Sequence, residues 1–140
     1  MCEKRRDMIN YRLDIAEVLL ERGVCPDANT GAVICSDGDI VGTGCTDVPK
    51  GCPDCCGSCE NAESVCLEAE IAAVLASDRA ALRGASMYIV KKSSDGEYLD
   101  AVPSGTARKI IIAAGISDVF VRVSRDGFRA VVVSNWSKEV

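Results

Sequence analysis

Two groups of residues carry reactive side chains at informative spacings. The first lies in the stretch Gly51-Cys52-Pro53-Asp54-Cys55-Cys56-Gly57-Ser58-Cys59, where two C-x-x-C units stand back to back. A turn with that spacing directs two thiolates at one ion, and four thiolates close a tetrahedral structural zinc site. The expected ligands are Cys52, Cys55 and Cys59, with Cys66 or Cys56 as the fourth, and Cys45 and Cys25 are spare candidates. Zinc held this way contributes on the order of 10 kcal/mol to ordering the segment. The same thiols can also serve as a redox pair or hold an iron-sulfur cluster. The second group is Cys66, Glu68 and Glu70, at the start of an apolar run ending in Ala72-Ala73-Val74-Leu75. A helix is predicted there from about Val65 to Ala76, with Ser64 as its cap and Cys66 in its first turn. The positive end of the helix favours a thiolate, and it favours carboxylates without any catalytic role.

The rest of the chain must position these groups. Its 140 residues suit a single domain, 1–140, able to bury roughly 70% of its unfolded surface. Apolar residues make up 48% and aromatics only 4%, so the core is expected to consist of Ile, Val, Leu and Ala. The net charge of −5 and the lack of histidine argue against a basic nucleic-acid surface and for small-molecule or protein partners. No apolar run is long enough to span a membrane and the first residues lack a signal-peptide core, so a cytoplasmic protein is expected. Nine cysteines, an odd number, cannot all pair within one chain, and clustering in a reducing compartment points to metal before disulfides.

Apolar residues at near-helical spacing predict an amphipathic helix over Lys4 to Arg22, ended by Gly23. Gly31–Cys35 and Ile40–Gly44 flank Ser36-Asp37-Gly38-Asp39, a hairpin turn whose Asp-Gly pair supplies positive φ. The segment 45–60 has no periodicity and holds five of the cysteines, which makes it a metal-binding loop needing its own staple. After the helix at Val65, with a further turn reaching Leu82, a strand is expected over Ala85–Val90. A third helix begins with Pro103 and stops at Gly115, and Asp118–Val123 and Phe128–Val133 complete the strands. The order α, β, β, α, β, α, β, β predicts a five-stranded mixed sheet with helices on its faces.

Several motifs, in this order, resemble the cytidine/deoxycytidylate deaminase superfamily over nearly the whole chain. Gly31-Ala32-Val33-Ile34 with Asp37–Gly44 looks like its opening hairpin, and Pro49-Lys50-Gly51 looks like the P-x-G of the deoxycytidylate branch, where Thr46 replaces the usual asparagine. Pro103-Ser104-Gly105-Thr106-Ala107 looks like its P-C-x-x-C helix start, and Ala113-Ala114-Gly115-Ile116 like the ending of that helix. Glu60-Asn61-Ala62 is similar to the sugar-holding E-N-A of small cytidine deaminases. The resemblance implies a cytidine deaminase-like three-layer α/β sandwich and an oligomer.

In that superfamily a His or Cys on one helix and two Cys on the next hold zinc, while a Glu two residues after the first ligand shuttles protons. Two registers fit here. Cys66-Leu67-Glu68 matches C-x-E with Glu68 as shuttle; Glu68-Ala69-Glu70 matches H-A-E with Glu70 as shuttle and agrees better with the residues downstream. At the positions of the two cysteines stand Ser104, a poor zinc ligand, and Ala107, which has no donor. The resemblance therefore implies a deaminase fold without a complete catalytic zinc site, serving as a non-catalytic nucleotide-binding protein or partner subunit with structural zinc in its cysteine-rich loop. The alternatives are an active cytidine/dCMP-type deaminase with relocated metal ligands and a thiol-based redox or binding module.

Overall fold

A computed structural model describes residues 2–25, 27–47 and 67–137. The elements are α1 (Glu3–Leu20), β1 (Ala28–Ser36), β2 (Asp39–Cys45), α2 (Ala69–Leu75), α3 (Arg79–Leu82), β3 (Ser86–Ser93), β4 (Tyr98–Leu99), α4 (Gly105–Ala114), β5 (Asp118–Arg122), β6 (Phe128–Val132) and α5 (Ser134–Ser137). The sheet runs β2-β1-β3-β5-β6, with β4 paired to the far end of β3. Only β3 and β5 are parallel, joined by the α4 crossover, and the other pairs are antiparallel. The five-stranded mixed sheet expected from the sequence is thus present, with a two-residue sixth strand added.

Strands buried on both faces explain the unbroken apolar runs, since successive side chains point to opposite sides. Ala32, Ile34, Met87, Ile89, Val119 and Val121 face one way, toward α2, α3, α4 and α5 through Ala69, Ala73, Leu82, Ile111 and Trp136. Val33, Cys35, Tyr88, Val90 and Phe120 face the other way, onto Ile9, Leu13 and Ala16 of α1. Helices therefore cover both faces and make three layers. Close approach depends on glycine: a Cβ on Gly31 would run into the Ala16 carbonyl of α1, and one on Gly44 into the Ala69 carbonyl of α2.

The Asp37-Gly38 turn has positive φ at both residues, as the hairpin requires, and Gly115 ends α4 in the left-handed conformation. Several boundaries differ from the sequence expectation. β2 runs through Cys45 and Asp47 forms a bridge with Leu67, so the start of the expected loop is ordered. That bridge keeps Leu67 extended, and α2 begins at Ala69 rather than Val65, with Glu68 as its N-cap. Ser64 and Cys66, expected as cap and first-turn thiol, lie outside the described residues. The turn reaching Leu82 is a separate helix, α3, capped by Asp78. Pro103 precedes α4 rather than opening it, because the Ser104 hydroxyl accepts from the Ala107 N–H and so makes Ser104 the N-cap.

Candidate functional site

The Asp47–Leu67 bridge delivers the start of α2 to the end of β2, and the loop after β4 delivers the start of α4 to the same place. The two N-caps meet there. Ser104 Oγ donates to Glu68 Oε2 at 3.0 Å while accepting from the Ala107 N–H at 3.1 Å, so its hydroxyl is engaged in both directions. Beside them opens a cavity of about 320 Å³, lined by Cys25, Asp27, Ala28, Thr30, Thr46, Leu67, Glu68, Ala69, Glu70, Lys91, Asp100, Ala101, Val102 and Ser104. Its size suits a small organic ligand.

Glu70 is the most unusual group in this cavity. It is only 5% exposed. Burial first and the Glu68 carboxylate second push it up to about 7, against the opposing pull of its own backbone N–H and of Lys91. Near neutrality it is divided between a carboxylate that accepts hydrogen bonds and an acid that also donates one. Thr46 is buried in the wall, where its hydroxyl accepts from the Thr30 N–H at 2.9 Å and its backbone pairs with Thr30 and Val24. A residue in that place thus ties the end of β2 to β1 as well as lining the cavity.

Of the residues singled out in the sequence, Glu68, Glu70 and Ser104 are brought together around the cavity, and Ala107 lies buried one turn into α4. Cys52, Cys55, Cys56, Cys59 and Cys66 lie outside the described residues. Of the spare thiols, Cys25 lines the cavity. Burial, with Asp47 adding to it, pushes the Cys45 thiol up and disfavours its thiolate. Asp27, Lys91 and Asp100 join the site without a sequence motif to announce them. Lys91, near the end of β3, had the clearest available signal, because ligands in open α/β sheets gather at strand ends.

Among the described residues, the zinc implied by the superfamily resemblance finds no fitting donor set at the starts of α2 and α4. Of Glu68, Ser104 and Ala107, only Glu68 offers an anionic donor; the Ser104 hydroxyl is already bonded to Glu68 and to the α4 backbone, and Ala107 offers a methyl group. Among the described residues, no three His, Cys, Asp or Glu side chains converge as a metal-binding set.

The fold is that of the cytidine and deoxycytidylate deaminases. The chain is similar to the dCMP deaminase of the cyanophage S-TIM5 in complex with dCMP and dUMP (21% identity, 88% of this chain and 84% of that one, TM-score 0.65). It is also similar to the cytidine deaminase of Burkholderia pseudomallei (19% identity, 96% and 95%, TM-score 0.66) and to that of Mycobacterium tuberculosis (20% identity, 91% and 91%, TM-score 0.55). No protein-family model matches the chain, and no curated protein does. Among the described residues, no helix is long and apolar enough to cross a membrane.

Proposed function

We propose that this protein is a non-catalytic member of the deaminase fold that binds a nucleoside-like ligand in the cavity between the starts of α2 and α4. The observation that carries this reading is the Glu68–Ser104 hydrogen bond. It joins two side chains that the resemblance would assign to a zinc ion, and the third position, Ala107, has no donor. Glu68 and Glu70 follow the H-A-E register, with Glu70 lying deeper in the site. The described walls carry the carboxyl groups of Asp27, Glu68 and Glu70 and one ammonium, Lys91, while Asp100 is paired with Arg129 at 3.0 Å. This balance disfavours a phosphate dianion, so a nucleoside is favoured over its monophosphate.

Calorimetric titration with cytidine and with CMP, joined to a deamination assay on both, tests the proposal. Cytidine is expected to bind without turnover and CMP to bind at least ~10-fold more weakly. Turnover that disappears in Glu70→Gln would overturn the non-catalytic reading. That outcome belongs to a second reading, an active deaminase with relocated metal ligands, which draws support from Glu70: a buried carboxyl near 7 suits proton transfer at neutral pH.

The cysteine-rich segment has a separate role in this proposal, as a structural zinc site formed by Cys52, Cys55, Cys59 and either Cys66 or Cys56. Elemental analysis of protein purified under reducing conditions should give about one zinc per chain, lost in the Cys52→Ser, Cys55→Ser double variant. Metal-free protein whose thiols oxidise and reduce reversibly would instead favour the thiol-based module.

A further inference from the structure

The cavity between the starts of α2 and α4 has a buried end and an open end. At the buried end stands Glu70, with Glu68 and Lys91 as the charged side chains near enough to act on its carboxyl. At the open end two exposed carboxylates, Asp27 and Asp100, line the rim. Asp100 is engaged, since its Oδ1 accepts from the Val102 N–H at 3.2 Å and from Arg129 Nη2 at 3.0 Å. Among the described residues, the Asp27 side chain has no hydrogen-bond or ion-pair partner.

Asp27 is exposed, yet its backbone is braced. Its carbonyl accepts from the Ser94 N–H at 2.9 Å, beside the Ala28–Ser93 pair that opens the β1–β3 ladder. The Asn29 side chain clamps the same turn: its Oδ1 accepts from the Cys25 N–H and its Nδ2 donates to the Cys25 carbonyl, both at 2.9 Å. A carboxylate carried on so fixed a backbone loses little freedom when it engages a ligand. Its distance from the buried end is also set by the sheet. Thr30 lines the cavity and pairs with Lys91 in the ladder, and Asp27 comes three residues earlier, about 10 Å along extended chain. That spacing matches the reach from the outer edge of a pyrimidine to the hydroxyls of its sugar.

The two oxygens of a carboxylate can accept from both hydroxyls of a vicinal diol at once. Acidic side chains read the ribose of dinucleotides by this chemistry. The Glu68 and Glu70 carboxyls suit the heteroatom edge of a base, which leaves the sugar toward Asp27. From the unpartnered carboxylate on a braced turn at the open end, we infer that Asp27 is a specificity-determining residue: it accepts from the two adjacent hydroxyls of a ribose and selects a ribonucleoside over a deoxyribonucleoside. The inference rests on the nucleoside-binding reading of this cavity. Because Asp27 is exposed, each hydroxyl contributes about tenfold in affinity, far less than it would in a fully buried site.

Calorimetric titration of the full chain with cytidine, 2′-deoxycytidine and 3′-deoxycytidine tests the inference. Wild type should bind cytidine about 10-fold more tightly than either deoxynucleoside. In Asp27→Ala the three affinities should converge near the wild-type value for 2′-deoxycytidine. Asp27→Asn, which keeps one acceptor oxygen, should fall between the two proteins. Equal affinity for the three nucleosides in wild type, or a preference for cytidine that persists in Asp27→Ala, would overturn the inference and leave nucleoside binding standing. An equal loss for all three in both variants would overturn it too, because the side chain would then be supporting the cavity wall. No binding of any of the three by wild type would remove the nucleoside reading itself, and the inference with it.

Discussion

Replacing Arg122 with alanine should destabilise the protein by about 3 kcal/mol, read as a lower urea midpoint at unchanged slope. Arg122 sits at the end of β5, on the face turned toward α1, and is 0% exposed. Its Nη1 donates to Asp14 Oδ1 at 2.8 Å and to Glu17 Oε1 at 3.2 Å, and its Nη2 donates to the Asn10 carbonyl at 3.1 Å. Burial of a cation is costly unless it is paired, and the two terminal nitrogens of this one are held by three acceptors on one helix. The alanine variant leaves a void and removes the closest counter-ion of Glu17, which keeps Arg125 at 3.4 Å, Lys92 at 3.8 Å and the Tyr98 hydroxyl at 2.6 Å. Arg122→Met separates the two losses, because it fills the space without the charge. It should recover a substantial part of the stability, helped by removal of the buried Arg122 Nε, which has no hydrogen-bond partner. Equal losses in the two variants would show that the ion pairs, not the packing, fasten α1 to β5.

Glu70→Gln should change the pH dependence of stability. The Glu70 carboxyl, pushed up to about 7 in the folded chain, has an ordinary value of 4.5. Below pH 4.5 both the folded and the unfolded chain hold the proton, and the group has no effect on the balance between them. As pH rises through the window from 4.5 to about 7, the unfolded chain releases the proton first, so wild-type stability falls. Above that window the full cost of about 3 kcal/mol is present. Glutamine keeps the shape and cannot ionise, so the variant should match wild type near pH 4.5 and exceed it at pH 8 by up to about 3 kcal/mol. Urea titrations at the two pH values measure the difference. Parallel pH profiles for the two proteins would mean that the cavity does not hold the Glu70 proton. A group kept at this cost in a ligand-sized cavity accords with binding rather than with core packing.

Most of the architecture was legible because it rests on local physics. Val33-Ile34-Cys35, Met87–Val90 and Val119–Val121 read as strands because both faces of the sheet are covered, which makes the apolar runs continuous. The Asp37-Gly38 turn and the Gly115 cap followed from the backbone freedom those positions require. The α2 boundary differs for a physical reason: helical periodicity extends back through Leu67, but Leu67 pairs with Asp47, and a bridge between residues so far apart leaves no trace in a local pattern. The short strand β4 and helix α5 escape sequence reasoning because neither is long enough to show a period.

The reactive residues divide in the same way. In the H-A-E register the residue types at 68, 104 and 107 already show that the usual donors are replaced, because donor chemistry depends on side-chain identity alone. That Ser104 is bonded to Glu68, 36 positions away, that Asp27, Lys91 and Asp100 share their cavity, and that the Glu70 carboxyl is pushed up to about 7 were decided by the tertiary structure. Distances across a sheet and the desolvation of a carboxyl depend on which elements pack together. Helix α1 shows both halves: its near-helical apolar spacing lies in the sequence, but only packing against the sheet decides which apolar residues are buried.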